Sequence, residues 1–285
     1  MHSSSDRPTR TRRAFRAVPV AIALLLATAC SQVPEPEENI DSLTSVTEAP
    51  EESSELDQFD ATLHPDPIAD PMECSRLLVV MARGTGEPAK GQLLSPVSRA
   101  IEKEDPDAIK TLNLDYPADT NVNEGGTEGV RRLIDTLNVQ ADHCPAQRFA
   151  LLGYSQGALV IGDALSEPAM RLVGENAGEL TDQAGSAVLA VVLYGNPRFS
   201  PSEPFDEGDF DASLSGILPR QPDGLAPYAD RVRDFCVARD FICQSSLDLD
   251  EEGHVTYYKN GMQQEGAEFV LEKYRLHRAA IRPTR

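Results

Sequence analysis

A three-layer α/β sandwich around a central, mainly parallel sheet of about five strands is the fold this sequence predicts, on three observations. Four apolar-rich stretches, 76–81, 111–116, 147–152 and 187–194, have the character of strands covered by helices on both faces. Between and after them, apolar residues recur at one-face helical spacing, as Val130, Leu133, Ile134 and Leu137, and again as Ala267, Val270, Leu271 and Tyr274. Third, Arg148-Phe149-Ala150-Leu151-Leu152 runs through Gly153-Tyr154-Ser155-Gln156-Gly157 into Ala158-Leu159-Val160-Ile161, a strand turning sharply into a helix. Alternating strands and helices imply a parallel sheet between helical layers.

Taken in chain order, residues 1–30 come first as a basic segment followed by the apolar run Val18–Ala29. This is an export signal, too short and too early for a spanning helix of the mature chain. Thr11-Arg12-Arg13-Ala14-Phe15 resembles a twin-arginine export motif, with Arg16 where an apolar residue is usual. Ala27-Thr28-Ala29-Cys30 resembles a lipobox, with Ala27 in place of leucine and Cys30 as the lipidated residue; the alternative is a plain signal cleaved nearby.

Residues 31–73 are acidic, contain no Lys or Arg and are rich in Pro, Ser and Thr. Too little apolar surface is present to offset the entropy of ordering, so the segment is expected to be a disordered tether. The whole chain carries a formal net charge of −20, and the part beyond the tether remains acidic. That charge argues against nucleic acid as a partner and against strong attraction to anionic lipid heads, leaving the acyl chain as the membrane attachment.

Residues 74–285 suit one folded domain with a full core. Apart from Cys30, the cysteines are Cys74, Cys144, Cys236 and Cys243, an even set that in an exported chain argues for two disulfides. Count alone leaves three pairings open, and spacing favours Cys236 with Cys243. The aperiodic stretch 197–229, rich in Pro, Gly, Asp and Ser, is expected to be a surface excursion near the site.

The pattern Gly153-x-Ser155-x-Gly157 at a strand-to-helix junction is the setting of an exposed nucleophilic serine. A serine hydroxyl needs a base to take its proton, and the base needs an acid to orient it. On this kind of fold the chain order is serine, acid, histidine, which leaves His254 and His277 as bases. His277 sits late in the terminal helix among arginines, where a histidine is favoured for its interaction with the helix end. His254 is therefore the candidate. For the acid, Asp240 lies between Cys236 and Cys243, where a disulfide would hold it still. Asp230, Asp234, Asp248 and Asp250 read as solvated loop charges. A calcium loop beginning at Asp248 lacks its closing glutamate, since Lys259 stands there, so no metal is expected. The oxyanion of a reacting ester needs donors, expected from the N–H of Gln156 and from Thr85 in the loop 82–88.

These pieces together resemble the cutinase family of serine esterases, in particular its actinobacterial cutinase-like members. The resemblance rests on ARGTGEP at 82–88, GYSQGA at 153–158, YGNPR at 194–198, DFCVARDFIC at 234–243 and HVTYYKNG at 254–261. It implies an α/β-hydrolase-like fold, a triad of Ser155, His254 and Asp240, and an oxyanion hole from Thr85 and Gln156. It also implies disulfides Cys74–Cys144 and Cys236–Cys243, and no cofactor. Arg239 departs from the glycine often found before the acid, and 197–229 is longer than in compact fungal members. The expected function is that of an exported, envelope-tethered, monomeric serine esterase acting on short to medium acyl esters. Lipid-selective hydrolysis of phospholipid or envelope glycolipid, acyl transfer, or a catalytically silent surface-binding protein are the alternatives.

Overall fold

The computed structural model describes residues 54–245 and 251–281. Cys30, the export signal, the first part of the acidic segment, and Asp248 and Asp250 lie outside the described residues. Among the described residues, no helix is long and apolar enough to cross a membrane.

The elements in chain order are α1 (Ser54–Asp57), β1 (Leu77–Ala82), α2 (Ser95–Glu102), β2 (Ile109–Asn113), α3 (Val122–His143), β3 (Arg148–Tyr154) and α4 (Gln156–Leu165). There follow α5 (Asp182–Ala187), β4 (Val188–Tyr194), β5 (Asp206–Glu207), β6 (Val232–Phe235), α6 (Glu251–Val255) and α7 (Met262–Ala280). One sheet of six strands has the order β2-β1-β3-β4-β6-β5. Every neighbouring pair is parallel.

Side chains alternate between the faces of each strand, and the core divides accordingly. Leu78, Val80, Leu151, Val191 and Leu193 pack with Val130, Leu133, Leu159 and Ile161 of α3 and α4. Leu77, Val79, Leu152, Val192 and Tyr194 pack with Val97 and Ile101 of α2 and Val270 and Tyr274 of α7. This is the expected sandwich, with the sheet one strand wider than expected. Strands β5 and β6, which match none of the four stretches read from the sequence, are short: Asp206 pairs with Asp234, and Val191 to Tyr194 pair with Val232 to Phe235.

Two segments differ from expectation. Residues 54–73, assigned from composition to the tether, lie against α3 rather than apart from the domain. Phe59 is buried. Arg131, only 1% exposed, donates to the carbonyls of His64 and Asp66 at 2.9 and 2.8 Å and binds Asp135 at 2.7 Å. Asp135 also accepts from the N–H of Ile68, and the Gln140 amide both accepts from and donates to the backbone of Met72. Backbone groups, which every sequence has, make these anchors, so a polar composition does not prevent them.

The stretch 197–229 is likewise anchored. Phe199, Phe205, Leu218 and Leu225 are buried, and the guanidinium groups of Arg198 and Arg220 lie 3.2 and 3.3 Å from the fully buried carboxylate of Asp163 on α4. Asp163 also accepts from the N–H groups of Leu172 and Val173. A buried carboxylate with two cations and two amides has the partners that make its desolvation tolerable.

Candidate active site

The C-terminal ends of β1, β3, β4 and β6 bring the site together, as expected where ligands meet an open parallel sheet. Ser155 follows β3 at φ 53° and ψ −120°, a strained conformation for a residue with a side chain. Neighbouring contacts hold it there. Its N–H donates to the carbonyl of Tyr194 at 2.9 Å. A Cβ at Gly153 would stand 2.7 Å from the Ala158 Cα, so only glycine lets strand and helix approach so closely.

The hydroxyl Oγ of Ser155 lies 2.9 Å from His254 Nε2, and His254 Nδ1 lies 2.9 Å from Asp240 Oδ1. His254 is on α6, with the Tyr154 ring stacked at 4.9 Å between centroids and the Tyr154 hydroxyl donating to the His254 carbonyl. Gly195, at φ 56°, runs beneath both partners, and a Cβ there would stand 2.8 Å from Asp240 Oδ2 and from the His254 ring.

Asp240 is fully buried. Burial alone would push its pKa up, but the His254 charge and hydrogen bonds from His254, Tyr257 and the Ile242 N–H hold it below the ordinary carboxylate value. The Tyr257 hydroxyl donates to Oδ2 at 2.5 Å. Burial, followed by the charge of Asp240, raises the Tyr257 phenol well above its ordinary value, so it stays a donor. Cys236–Cys243 brackets the loop of Asp240, and Cys74–Cys144 ties the start of the domain to the end of α3. Both are the pairings implied by the resemblance.

Beside Ser155, the loop after β1 carries Thr85, whose hydroxyl donates to Gln156 Oε1 at 3.2 Å; a Cβ at Gly84 in this loop would stand 3.2 Å from the Ser155 Cβ. Gln156 opens α4, where the first N–H groups lack intrahelical acceptors and point outward. Glu87 fixes this loop by accepting from the N–H of Gly84 and of Leu93, each at 2.7 Å. Burial raises its pKa despite these bonds. Arg83 reaches back to the carbonyls of Leu114, Tyr116 and Pro117, and the Gly86 N–H donates to Ala118. The loop is thus built before any substrate arrives, which is what an anion-stabilising hole requires.

Every site residue singled out in the sequence other than Cys30 falls within the described part, and the triad and hole candidates converge at one place. Two residues escaped the sequence reading. Tyr257 is one, although its position one turn after His254 was a usable signal. Asp234 is the other: it is buried on β6, accepting from Asn196 Nδ2 at 2.7 Å, and is not a solvated loop charge. Burial lifts its pKa to about 7, against the Asn196 hydrogen bond and with help from Asp206.

Among the described residues, the cluster with metal-ligand potential is Cys74, His143 and Cys144. Its two sulfurs are joined to each other and offer no thiolate.

A hydroxyl joined through imidazole to a buried carboxylate, facing preset amide donors, can transfer an acyl group from an ester to water. Fold and site define a serine hydrolase of the α/β type. A family model described as Cutinase matches residues 73–274. A cutinase of Kineococcus radiotolerans is 32% identical over 213 residues, spanning 74% of this chain and 65% of that protein. Phospholipase Culp4 of Mycobacterium tuberculosis is 27% identical, spanning 70% of this chain and 79% of that protein. Among solved structures, the catalytic core domain of acetyl xylan esterase from Trichoderma reesei superposes with a TM-score of 0.62 over 70% of this chain and all of its own length. Its 24% identity makes that a likeness of fold. The chain belongs to the cutinase family and, with that family, to the carboxylic ester hydrolases.

Proposed function

We propose that this chain is an exported esterase that cleaves short to medium acyl esters through a covalent acyl-enzyme. In this reading the Ser155 Oγ attacks the ester carbonyl carbon while His254 Nε2 takes the hydroxyl proton. The carbonyl oxygen, now an oxyanion, is held by the N–H of Gln156 and by Thr85. Collapse breaks the bond to the alcohol, which leaves with the proton from His254. Water then gives a proton to His254 and attacks the acyl carbon. The acid departs, and Ser155 Oγ recovers its proton. Asp240 keeps the Nδ1–H of His254 in place and balances the imidazolium charge. No step calls for a cofactor or a metal.

The pair of 2.9 Å contacts linking Ser155, His254 and Asp240 is the observation that carries this reading. The half-buried Ser155 and the 14% exposure of the His254 side chain support access from solvent. Export rests on the leader 1–30. Attachment to the cell envelope rests on Cys30 at the lipobox-like end, where a plain signal cleaved nearby would instead release the chain; the working reading is a monomer.

Lipid-selective hydrolysis is a second reading, favoured by the likeness to a protein named as a phospholipase. A series of p-nitrophenyl esters from acetate to palmitate, run beside phosphatidylcholine vesicles and an alcohol acceptor, separates the readings. Fastest release from butyrate to octanoate is expected. Preference for the vesicles would establish the lipid reading, and ester products on the acceptor would establish acyl transfer. Inertness toward all of them would leave a surface-binding protein.

A further inference from the structure

We propose that Tyr257 is a positioning residue for the reaction: its phenol and the His254 imidazole grip the two oxygens of one carboxylate and so fix the plane of Asp240. The inference rests on the reading of Ser155, His254 and Asp240 as the reacting triad.

His254 and Tyr257 are one helical turn apart, at the junction of α6 and the 3₁₀ turn Thr256–Tyr258. From that single stretch, His254 Nδ1 meets Oδ1 at 2.9 Å and the Tyr257 hydroxyl meets Oδ2 at 2.5 Å. Among the described residues, the other donors to this carboxylate, the N–H groups of Ile242 and Cys243, also go to Oδ1. Without the phenol, rotation of the carboxylate about its Cβ–Cγ bond would lose its restraint on the Oδ2 side. The phenol cannot wander: Tyr257 is fully buried, edge-on to Tyr154 and tilted against Tyr194. Tyr154 in turn stacks on His254. The phenol oxygen also lies 3.5 Å from Cys243 Sγ, which is disulfide-bonded and carries no proton. Tyr257 therefore connects the base, the acid and the bridge that braces the acid loop.

The charge relationships give the role a sign. A donor on Oδ2 draws electron density from the carboxylate and makes it a weaker acceptor for the imidazolium proton. Removing the donor leaves a more basic carboxylate, which favours protonated His254. The other ionisable groups around the pair are Tyr154 from the end of β3, Tyr194 from β4, Asp234 from β6 and Glu87 from the loop after β1; Arg239 and Glu252 flank Asp240 and His254 in the chain. None of these changes in the test.

The test uses the mature, oxidised protein and a p-nitrophenyl butyrate assay across pH. Tyr257→Phe is expected to lower kcat about 10- to 100-fold with KM within about 2-fold, because an orienting group acts on the reacting geometry and not on ester binding. The acid limb of kcat/KM should move to higher pH. Replacing Tyr257 by 3,5-difluorotyrosine keeps the ring and sharpens the donor, so the limb should move to lower pH; this variant decides the matter if the phenylalanine variant does not fold. In an Asp240→Asn background, Tyr257→Phe should have less than about 2-fold further effect, since both act through one carboxylate. Unchanged kcat and an unmoved limb in the folded variants, or full additivity with Asp240→Asn, would overturn the proposal. Reaction of Ser155 with a fluorophosphonate is scored separately in the unsubstituted protein, where failure to react indicts the triad reading and not Tyr257.

Discussion

Gly157 lies directly against the backbone of Ala82: a Cβ at 157 would stand 1.9 Å from the Ala82 carbonyl oxygen. This contact sets the distance between the turn carrying Ser155 and the loop carrying Thr85. A single methyl group there must push the two apart. Gly157→Ala is therefore expected to cost about 1–3 kcal/mol in urea unfolding, as overpacked sites do, and to lower kcat at least about 10-fold. Kinetics and unfolding measured on the same preparation check this; an unchanged kcat would contradict it.

The two disulfides should separate stability from activity. Cys74–Cys144 spans 70 residues and Cys236–Cys243 spans 7. Loop-closure entropy assigns them about 4 and about 2.5 kcal/mol respectively. Only the shorter one brackets Asp240. Replacing Cys236 and Cys243 by alanine is expected to cost the smaller share of stability and the larger share of kcat, with the reverse for Cys74 and Cys144. Denaturant midpoints and steady-state rates for both double variants check the ordering.

Arg131 makes the segment 54–73 part of the domain. Removing that segment takes away the His64 and Asp66 carbonyls and leaves a guanidinium that is 1% exposed in the intact protein short of acceptors. A chain begun at residue 74 is expected to be less stable than one begun at residue 54 by about 2–5 kcal/mol. Thermal or urea unfolding of the two chains decides it.

Asp234 gives a pH dependence of stability with a definite sign. Its folded pKa, about 7, lies above the ordinary value of 3.8. The folded state thus holds a proton that the unfolded state releases between these values. The contribution is fully present below about pH 4 and is lost as pH rises through about 7. Asp234→Asn should flatten this slope and raise the midpoint at pH 8 relative to the unsubstituted protein more than at pH 5. Parallel pH profiles for the two proteins would rule the assignment out.

The strands in the middle of the sheet were legible because burial on both faces leaves a near-continuous apolar record, as in β1, β3 and β4. Strands β5 and β6 left none: they are short, and Asp206, Glu207, Arg233 and Asp234 give them the look of loop. β2 ends at Asn113, short of the expected 116, because Leu114 and Tyr116 are buried in the loop that receives Arg83 and not in the strand. The meeting of Ser155, His254 and Asp240 was legible through chain order and a disulfide bracket. Tyr257 and Asp234 were not, since their roles depend on which carboxylate or amide the fold brings beside them. The anchoring of 54–73 was hidden for a related reason: it is made mostly by carbonyl and amide groups that composition does not register.

The most direct test of the account is covalent labelling of the mature protein with a fluorophosphonate, followed by peptide mapping and comparison with Ser155→Ala. The account predicts one adduct per chain, on Ser155, with loss of ester hydrolysis in step with labelling and a rate in Ser155→Ala lower by roughly three orders of magnitude or more. An adduct elsewhere, or hydrolysis that survives in Ser155→Ala at the full rate, would contradict it.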